Sequence, residues 1–205
     1  MTDRPLVSVL TPTWQRHEEL VGCVENVLAQ TYPNIEHIVV SDGPDETAFL
    51  LAAGGPRRPG VMIDMLELGR NWSTYLPDAF CAAPTTVAML LARGEYQAWL
   101  ADDERMTPDH IEALVGLLER TGADFAYGRV EMWRADMPGR WVIGTDPPRL
   151  GEITNVVYRT ELLKRGLFRF GFGMQADWAT ISHWMSQGAT WAFLDRVTLT
   201  HRADH

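Results

Sequence analysis

A chain of 205 residues, 46% apolar and 22% charged, can bury a sizeable core as one domain without disulfide or metal staples. Its net charge of −9 excludes the positive field that nonspecific binding to DNA or anionic lipid needs. No run approaches the roughly 18 consecutive apolar residues of a membrane span.

Cys23 and Cys81 lie in no Cys-x-x-Cys or Cys/His metal spacing and read as reduced structural thiols. Met-Thr-Asp-Arg-Pro runs straight into a strand with no charged and apolar leader, so a cytoplasmic location is the expectation.

In chain order, Leu6 to Thr11 reads as a buried strand ended by Pro12, and His17 to Gln30 carries Leu20, Val21, Val24, Val27 and Leu28 at helical spacing. Ile35 to Ser41 is a second strand, closed by the turn Asp42-Gly43-Pro44. Glu46 to Ala53 predicts a short helix, Gly54 to Gly60 a loop and Val61 to Leu66 a third strand. Thr85 to Arg93 is helical in pattern with Gly94 as its stop, and Tyr96 to Ala101 is a fourth, inner strand. That apolar run ends abruptly in Asp102, Asp103 and Glu104. Thr107 as N-cap, Pro108 at the first helical position and Asp109 in the first turn predict a helix to about Arg120 that starts without help from the three acids. The acids therefore have no evident structural task.

Phe125 to Met132 predicts a strand, with a hairpin partner over Trp141 to Gly144. Thr145 to Gly151, with its two prolines, is the candidate mobile or acceptor loop. Thr160 to Arg165 and Asp177 to Ser186 read as helices and Ala192 to Thr200 as a final strand. Arg159, Lys164, Arg165 and Arg169 form the densest basic group, most simply a wet helix face. The alternation implies an α/β fold: one Rossmann-like domain with a mostly parallel central sheet, helices on both faces and a small antiparallel addition. In such sheets ligands bind outside the carboxyl ends of the strands, so Thr11 to Arg16, Asp42 and Asp102 to Glu104 are expected to converge. Carboxylates gathered there suit a hard divalent cation, which in turn can hold a diphosphate.

Taken in order, these segments resemble the family-2 glycosyltransferases of GT-A fold, over nearly the whole chain. Val7-Ser8-Val9-Leu10-Thr11-Pro12-Thr13-Trp14-Gln15-Arg16 is similar to the family's opening strand and Pro-x-aromatic-x-Arg segment. Val24 to Glu36, with Gln30-Thr31-Tyr32-Pro33-Asn34-Ile35-Glu36, is close to the family's Gln-Thr-Tyr-x-Asn-x-Glu link. Val39-Val40-Ser41-Asp42-Gly43 stands at the Asp-Asp-Gly-Ser-like turn, and Ala92-Arg93-Gly94-Glu95 leads to the acidic cluster. Gly171-Phe172-Gly173-Met174-Gln175-Ala176-Asp177-Trp178 resembles the Glu-Asp-Trp segment.

The resemblance implies a metal-dependent, inverting hexosyl transfer from a nucleoside diphosphate donor, UDP-linked, to a hydroxyl acceptor. Residues 1–107 would form the nucleotide-binding half and 108–205 the acceptor half. By resemblance Asp42 accepts from the nucleobase, and Thr11, Pro12, Arg16 and Arg70 flank the nucleotide. The family's Asp-x-Asp falls on Ala101-Asp102-Asp103, so Asp103 is the implied ligand for Mn2+ or Mg2+ and Asp102 faces the ribose or shares the metal. A register using Asp102 and Glu104 stays open. Neighbouring residues of an extended segment face opposite ways, which favours separate roles for Asp102 and Asp103.

Asp177 takes the position of the general base, although the acid that commonly precedes it is Ala176 here. His201 or His205, in the family's terminal Tyr-Arg-x-His strand, could complete the metal site. Trp178 and Trp184 are candidates for a sugar floor, whereas His37, His110 and His183 read as packing or surface residues. Two other classes remain: a noncatalytic nucleotide-sugar-binding protein, because of Ala101 and Ala176, and a sugar nucleotidyltransferase, disfavoured because Pro12 to Arg16 contains no glycine. The acceptor is open among glycans, lipid-linked glycans, proteins, small metabolites and modified nucleic acid, and the reading leaves room for a homo-oligomer.

Overall fold

The structure, a computed structural model, describes residues 4–46, 55, 57–76, 81–151, 156–167 and 176–203. Its strands are β1 (Val7–Thr13), β2 (Ile35–Ser41), β3 (Val61–Glu67), β4 (Tyr96–Trp99), β5 (Arg105–Met106), β6 (Phe125–Trp133), β7 (Arg140–Ile143), β8 (Val157–Arg159) and β9 (Trp191–Arg202). They form one mixed sheet of order β3-β2-β1-β4-β8-β6-β9-β5, with β7 hairpinned onto β6. The pairs β3-β2, β2-β1 and β1-β4 are parallel, so their carboxyl ends open on one edge. Helices α1 (His17–Leu28), α2 (Ala82–Leu91), α3 (His110–Thr121) and α4 (Ala176–Ser186) cover the sheet, and Thr160–Arg165 forms a 3-10 turn rather than an α-helix. The expected helix over Glu46 to Ala53 falls almost wholly outside the described residues, as does Arg169 of the basic group.

Strand alternation sorts β1 between two cores. Val7 and Val9 join Cys23 and Val27 of α1 and Ile111, Leu114 and Leu118 of α3. Leu10 joins Met89 of α2 and Trp99, Tyr158, Ile181 and Trp184 on the other side. Burial pushes the thiols of Cys23 and Cys81 up to about 12, so both stay protonated structural residues.

Several expected boundaries move, two of them for reasons the pairing makes plain. Pro12 does not end β1: it pairs with Val40, and the strand runs to Thr13. Leu10 C=O accepts from Leu100 N–H on the β4 side, and Thr13 C=O accepts from Asp42 N–H on the β2 side. Two residues beyond Leu10, Pro12 therefore turns its missing N–H toward the β4 side, where the strand pairing ends at Leu10↔Trp99, and keeps its pairing with β2. Likewise α3 starts at His110 with Asp109, not Thr107, at the cap. The Thr107 hydroxyl instead donates to Asp109 Oδ1 (3.0 Å), and Thr107 C=O accepts from His110 N–H, a preliminary turn that delays the helix.

Trp184 is fully buried, stacked on Trp99 (5.7 Å between centroids) and tilted against Tyr158 (5.0 Å), with its indole N–H donated to Gly166 C=O. It is thus core rather than sugar floor, and Trp178 packs half-buried against the same cluster. Trp184→Ala is expected to cost about 3–5 kcal/mol, read as a lowered midpoint in urea denaturation.

Candidate active site

Beyond Trp99 the chain turns sharply. Glu104 N–H donates to Ala101 C=O (3.1 Å), and Glu104 Oε2 accepts from Ala101 N–H (3.0 Å), closing the turn twice. Arg105 braces it from below, donating from Nη1 to the carbonyls of Asp102 (2.9 Å) and Glu104 (2.6 Å) and from Nη2 to Glu19 C=O (3.4 Å). Gly22 on α1 has no side chain because a Cβ there would collide with the Arg105 guanidinium. The antiparallel pair Arg105↔Thr200 fixes β9 so that His201 Nδ1 meets Glu104 Oε1 at 3.0 Å.

The tight turn overrides the expected opposition of Asp102 and Asp103. Both carboxylates meet one guanidinium: Arg16 Nη1 lies 3.0 Å from Asp102 Oδ1 and Nη2 lies 2.9 Å from Asp103 Oδ2. Thr13 Oγ1 donates to Asp102 Oδ2 (2.8 Å). Burial raises Asp102 to about 6 against the pull of Thr13 and Arg16. Glu104 and His201 answer each other: burial opposes charge on the imidazole, yet the Glu104 hydrogen bond and charge leave it raised overall.

At the end of β2, Asp42 Oδ1 accepts from Trp72 N–H (2.9 Å), and Oδ2 accepts from Ser73 N–H (3.0 Å) and its hydroxyl (2.6 Å). Gly43 allows the approach: its φ is +133° and a Cβ would stand 3.0 Å from Asn71 N. Asn71 Oδ1 accepts from Thr74 N–H and hydroxyl, each at 2.8 Å. Arg70 is exposed and lies over Trp72 (5.8 Å) and Tyr75 (5.5 Å). The resulting cleft of about 720 Å³ is lined by Pro12 and Thr13 of β1, by Trp14 and Arg16 just beyond it, by Asp42, Asn71, Ser73 and Thr74, by Cys81 and Pro84, and by Ala101, Asp102, Asp103 and His201. This is the size of a small-molecule or cofactor site.

Asp177 sits in the first turn of α4, where its Oδ1 accepts from Trp178 N–H (2.7 Å). Burial lifts it to about 6, the Trp178 N–H pulls it down and the Glu104 charge pushes it up. It is not among the lining residues of the cleft but is close enough for Glu104 and His201 to act on its charge. Among the described residues no group of three His, Cys, Asp or Glu side chains is arranged to hold a metal. Asp102 and Asp103 do present oxygens that already hold a cationic group, a donor set that suits Mg2+ or Mn2+ when diphosphate and water complete the shell.

The family model described as Glycosyl transferase family 2 matches residues 8–73 and 85–174, more than half of the chain. The chain belongs to this family. It is 27% identical over 119 residues to the putative colanic acid biosynthesis glycosyl transferase WcaA of Escherichia coli, covering 56% of this chain and 38% of WcaA. Among solved structures it is similar to S. aureus TarS in complex with UDP, with a TM-score of 0.71 and 18% identity over 96% of this chain and 60% of that one. It is also similar to the mannosyltransferase PcManGT of Pyrobaculum calidifontis in complex with GDP-Man and Mn2+, with a TM-score of 0.71 and 19% identity over 98% of this chain and 57% of that one. The fold is GT-A. This family-2 chain spans about a third of the length of several curated relatives it matches, and no helix among its described residues is long and apolar enough to cross a membrane.

Of the expected site residues, the fold brings Pro12, Arg16, Asp42, Asp102, Asp103 and His201 to one cleft. Thr11 is turned away: it shares strand parity with Val7 and Val9, and its buried hydroxyl bonds His37 Nε2 (2.9 Å) on the α1 side. Arg70 does not line the cleft, and His205 lies outside the described residues with most of the Gly171 to Trp178 segment. His37 and His110 are buried packing residues, both held neutral by burial, at about 3 and about 4. The three acids do have structural partners, contrary to expectation. The individual roles missed are those of Thr13, inside the opening motif, of Arg105, just after the three acids, and of Ser73, whose hydroxyl gave no sequence signal.

Glu104→Ala removes the acceptor facing His201. In the metal-free protein the imidazole titration followed by NMR is expected to move to lower pH.

Proposed function

We propose that this family-2 protein is a metal-dependent, inverting glycosyltransferase that moves a hexosyl group from a UDP-linked donor to a hydroxyl acceptor. The observation that carries the reading is the meeting of Asp42, Asp102 and Asp103 in one cleft at the carboxyl ends of β2 and β4, with Asp177 within electrostatic reach of that wall. The nucleotide-bound state of TarS and the GDP-Man and Mn2+ bound to PcManGT support the donor class.

Asp42 favours uracil on hydrogen-bond capacity. A carboxylate has about four acceptor positions, and the loop at Trp72 and Ser73 uses three of them. One remains, enough for the single imide N–H of uracil and too few for the paired N–H groups of guanine. Asp103, with Asp102, would hold Mn2+ or Mg2+, and His201 at the end of β9 is the nearby imidazole. The bound cation would neutralise charge on the departing diphosphate.

Asp177 would take the proton of the acceptor hydroxyl as its oxygen bonds the anomeric carbon from the face opposite the diphosphate. The carbon–oxygen bond to the diphosphate breaks, and UDP leaves with the bonding pair. On this reading residues 1–107 hold the donor and 108–205 carry the acceptor side, with the acceptor's identity to be found by screening.

Calorimetry with UDP, GDP and TDP, each with and without Mn2+, tests the donor site. UDP is expected to bind at least about tenfold tighter than GDP, in line with one buried hydrogen bond, and to lose its metal dependence in Asp103→Ala. Metal-independent or absent binding would favour the noncatalytic class. Asp177→Asn is expected to lower release of UDP from UDP-sugars by about 10²–10⁴-fold with UDP affinity unchanged; full activity would remove Asp177 from the base role. Because the base acts ionised and titrates at about 6, wild-type turnover should fall as pH drops through that value and level off above it.

A further inference from the structure

The wall of the cleft carries three carboxylates, Asp42, Asp102 and Asp103, and its cationic side chains are Arg16 and His201. The side chains of Asp102 and Asp103 are only 3% and 6% exposed, so their charges need a partner close by, and Arg16 supplies it from the junction of β1 and α1. Its two terminal nitrogens hold one oxygen of each acid, Asp102 Oδ1 and Asp103 Oδ2. These are oxygens that a divalent cation would need. Arg16 is itself 31% exposed and lines the cleft, so its guanidinium can leave the acids without leaving the site.

We propose that Arg16 makes the binding of metal and nucleotide interdependent. In the free protein its guanidinium occupies the two carboxylates and competes with any lone divalent cation. An arriving diphosphate offers Arg16 an alternative bidentate partner. Transfer of the guanidinium to the diphosphate would free Asp102 and Asp103, the residues that would then hold the cation. The coupling is reciprocal: metal draws the nucleotide in as strongly as nucleotide draws the metal. It also keeps a site with three acids from attracting free cations and repelling its anionic donor. This inference rests on the reading of Asp102 and Asp103 as the metal–diphosphate site.

The test is Mn2+ binding to the whole chain, followed by the spectrum of free Mn2+ in electron paramagnetic resonance, with and without UDP. Wild type is expected to bind Mn2+ weakly alone and at least about tenfold more tightly with UDP, a coupling of usual allosteric size. Arg16→Gln should bind Mn2+ alone at least about tenfold more tightly than wild type and show a smaller gain from UDP. Arg16→Lys, which keeps the charge and guards against a folding defect in the Gln variant, should retain the exclusion of lone Mn2+. If the ternary complex forms and depends on Asp103 but Arg16→Gln leaves nucleotide-free Mn2+ affinity unchanged, this proposal alone is overturned. If Asp103→Asn leaves the ternary complex intact, the metal–diphosphate reading fails and takes the proposal with it.

Discussion

The site depends on one buried carboxylate. Glu104 is 3% exposed, and its two oxygens meet the Ala101 amide three residues before it and the His201 imidazole 97 residues after it. Burying a charge without such partners costs several kcal/mol, on the order of the whole stability of a domain. The turn and β9 are therefore held together: loosening either would strand the charge. Arg105 adds the opposite sign beneath the turn and is accommodated by Gly22, a helix-interior glycine that space rather than backbone conformation explains. What these contacts fix is the direction of Asp102 and Asp103.

To accept the proposed anionic donor, an acidic protein would have to solve its electrostatics locally. With a net charge of −9 the field at long range repels a nucleoside diphosphate. At short range the charges of Arg16, Arg105 and His201 interleave with the carboxylates, each cation in contact with an acid or with backbone carbonyls of the acidic turn. The cleft thus presents alternating charge rather than a uniform wall, and recognition of the proposed donor would rely on geometry over steering. Asp42 illustrates the point. Its carboxylate first builds the 71–74 turn, and only the capacity left over faces the cleft.

Much of the framework was legible in the sequence because apolar periodicity and strand alternation are local. The strand-helix-strand opening, the inner strand before the acids and the hairpin near Trp141 all stand close to their expected places. Parity also held the information that Thr11 belongs with Val7 and Val9, although a motif match drew it into the site. Boundaries failed where tertiary pairing decided them. Pro12 reads as a breaker until it is known that β4 ends first, and the Thr107 cap yields to a preliminary turn. The site was legible as residue types, while its partners were not: that Arg16 bridges two acids, that Glu104 reaches His201, and that Ser73 bonds Asp42 depend on segments between 31 and 97 residues apart.

The same long-range logic bears on Ala176. In the sequence this alanine removes an acid beside the candidate base, which would leave Asp177 with the basicity of an ordinary carboxylate. In the fold, burial supplies most of the upward push on Asp177 and Glu104 adds like charge across the site. At about 6, the carboxylate is largely ionised at neutral pH and more basic than a solvated aspartate, the compromise that general-base catalysis favours. Glu104 thereby has a second consequence. The carboxylate that fixes the acidic turn also contributes, through space, to the basicity of the candidate base, so on the proposed mechanism geometry and reactivity at this site would rest on one buried charge.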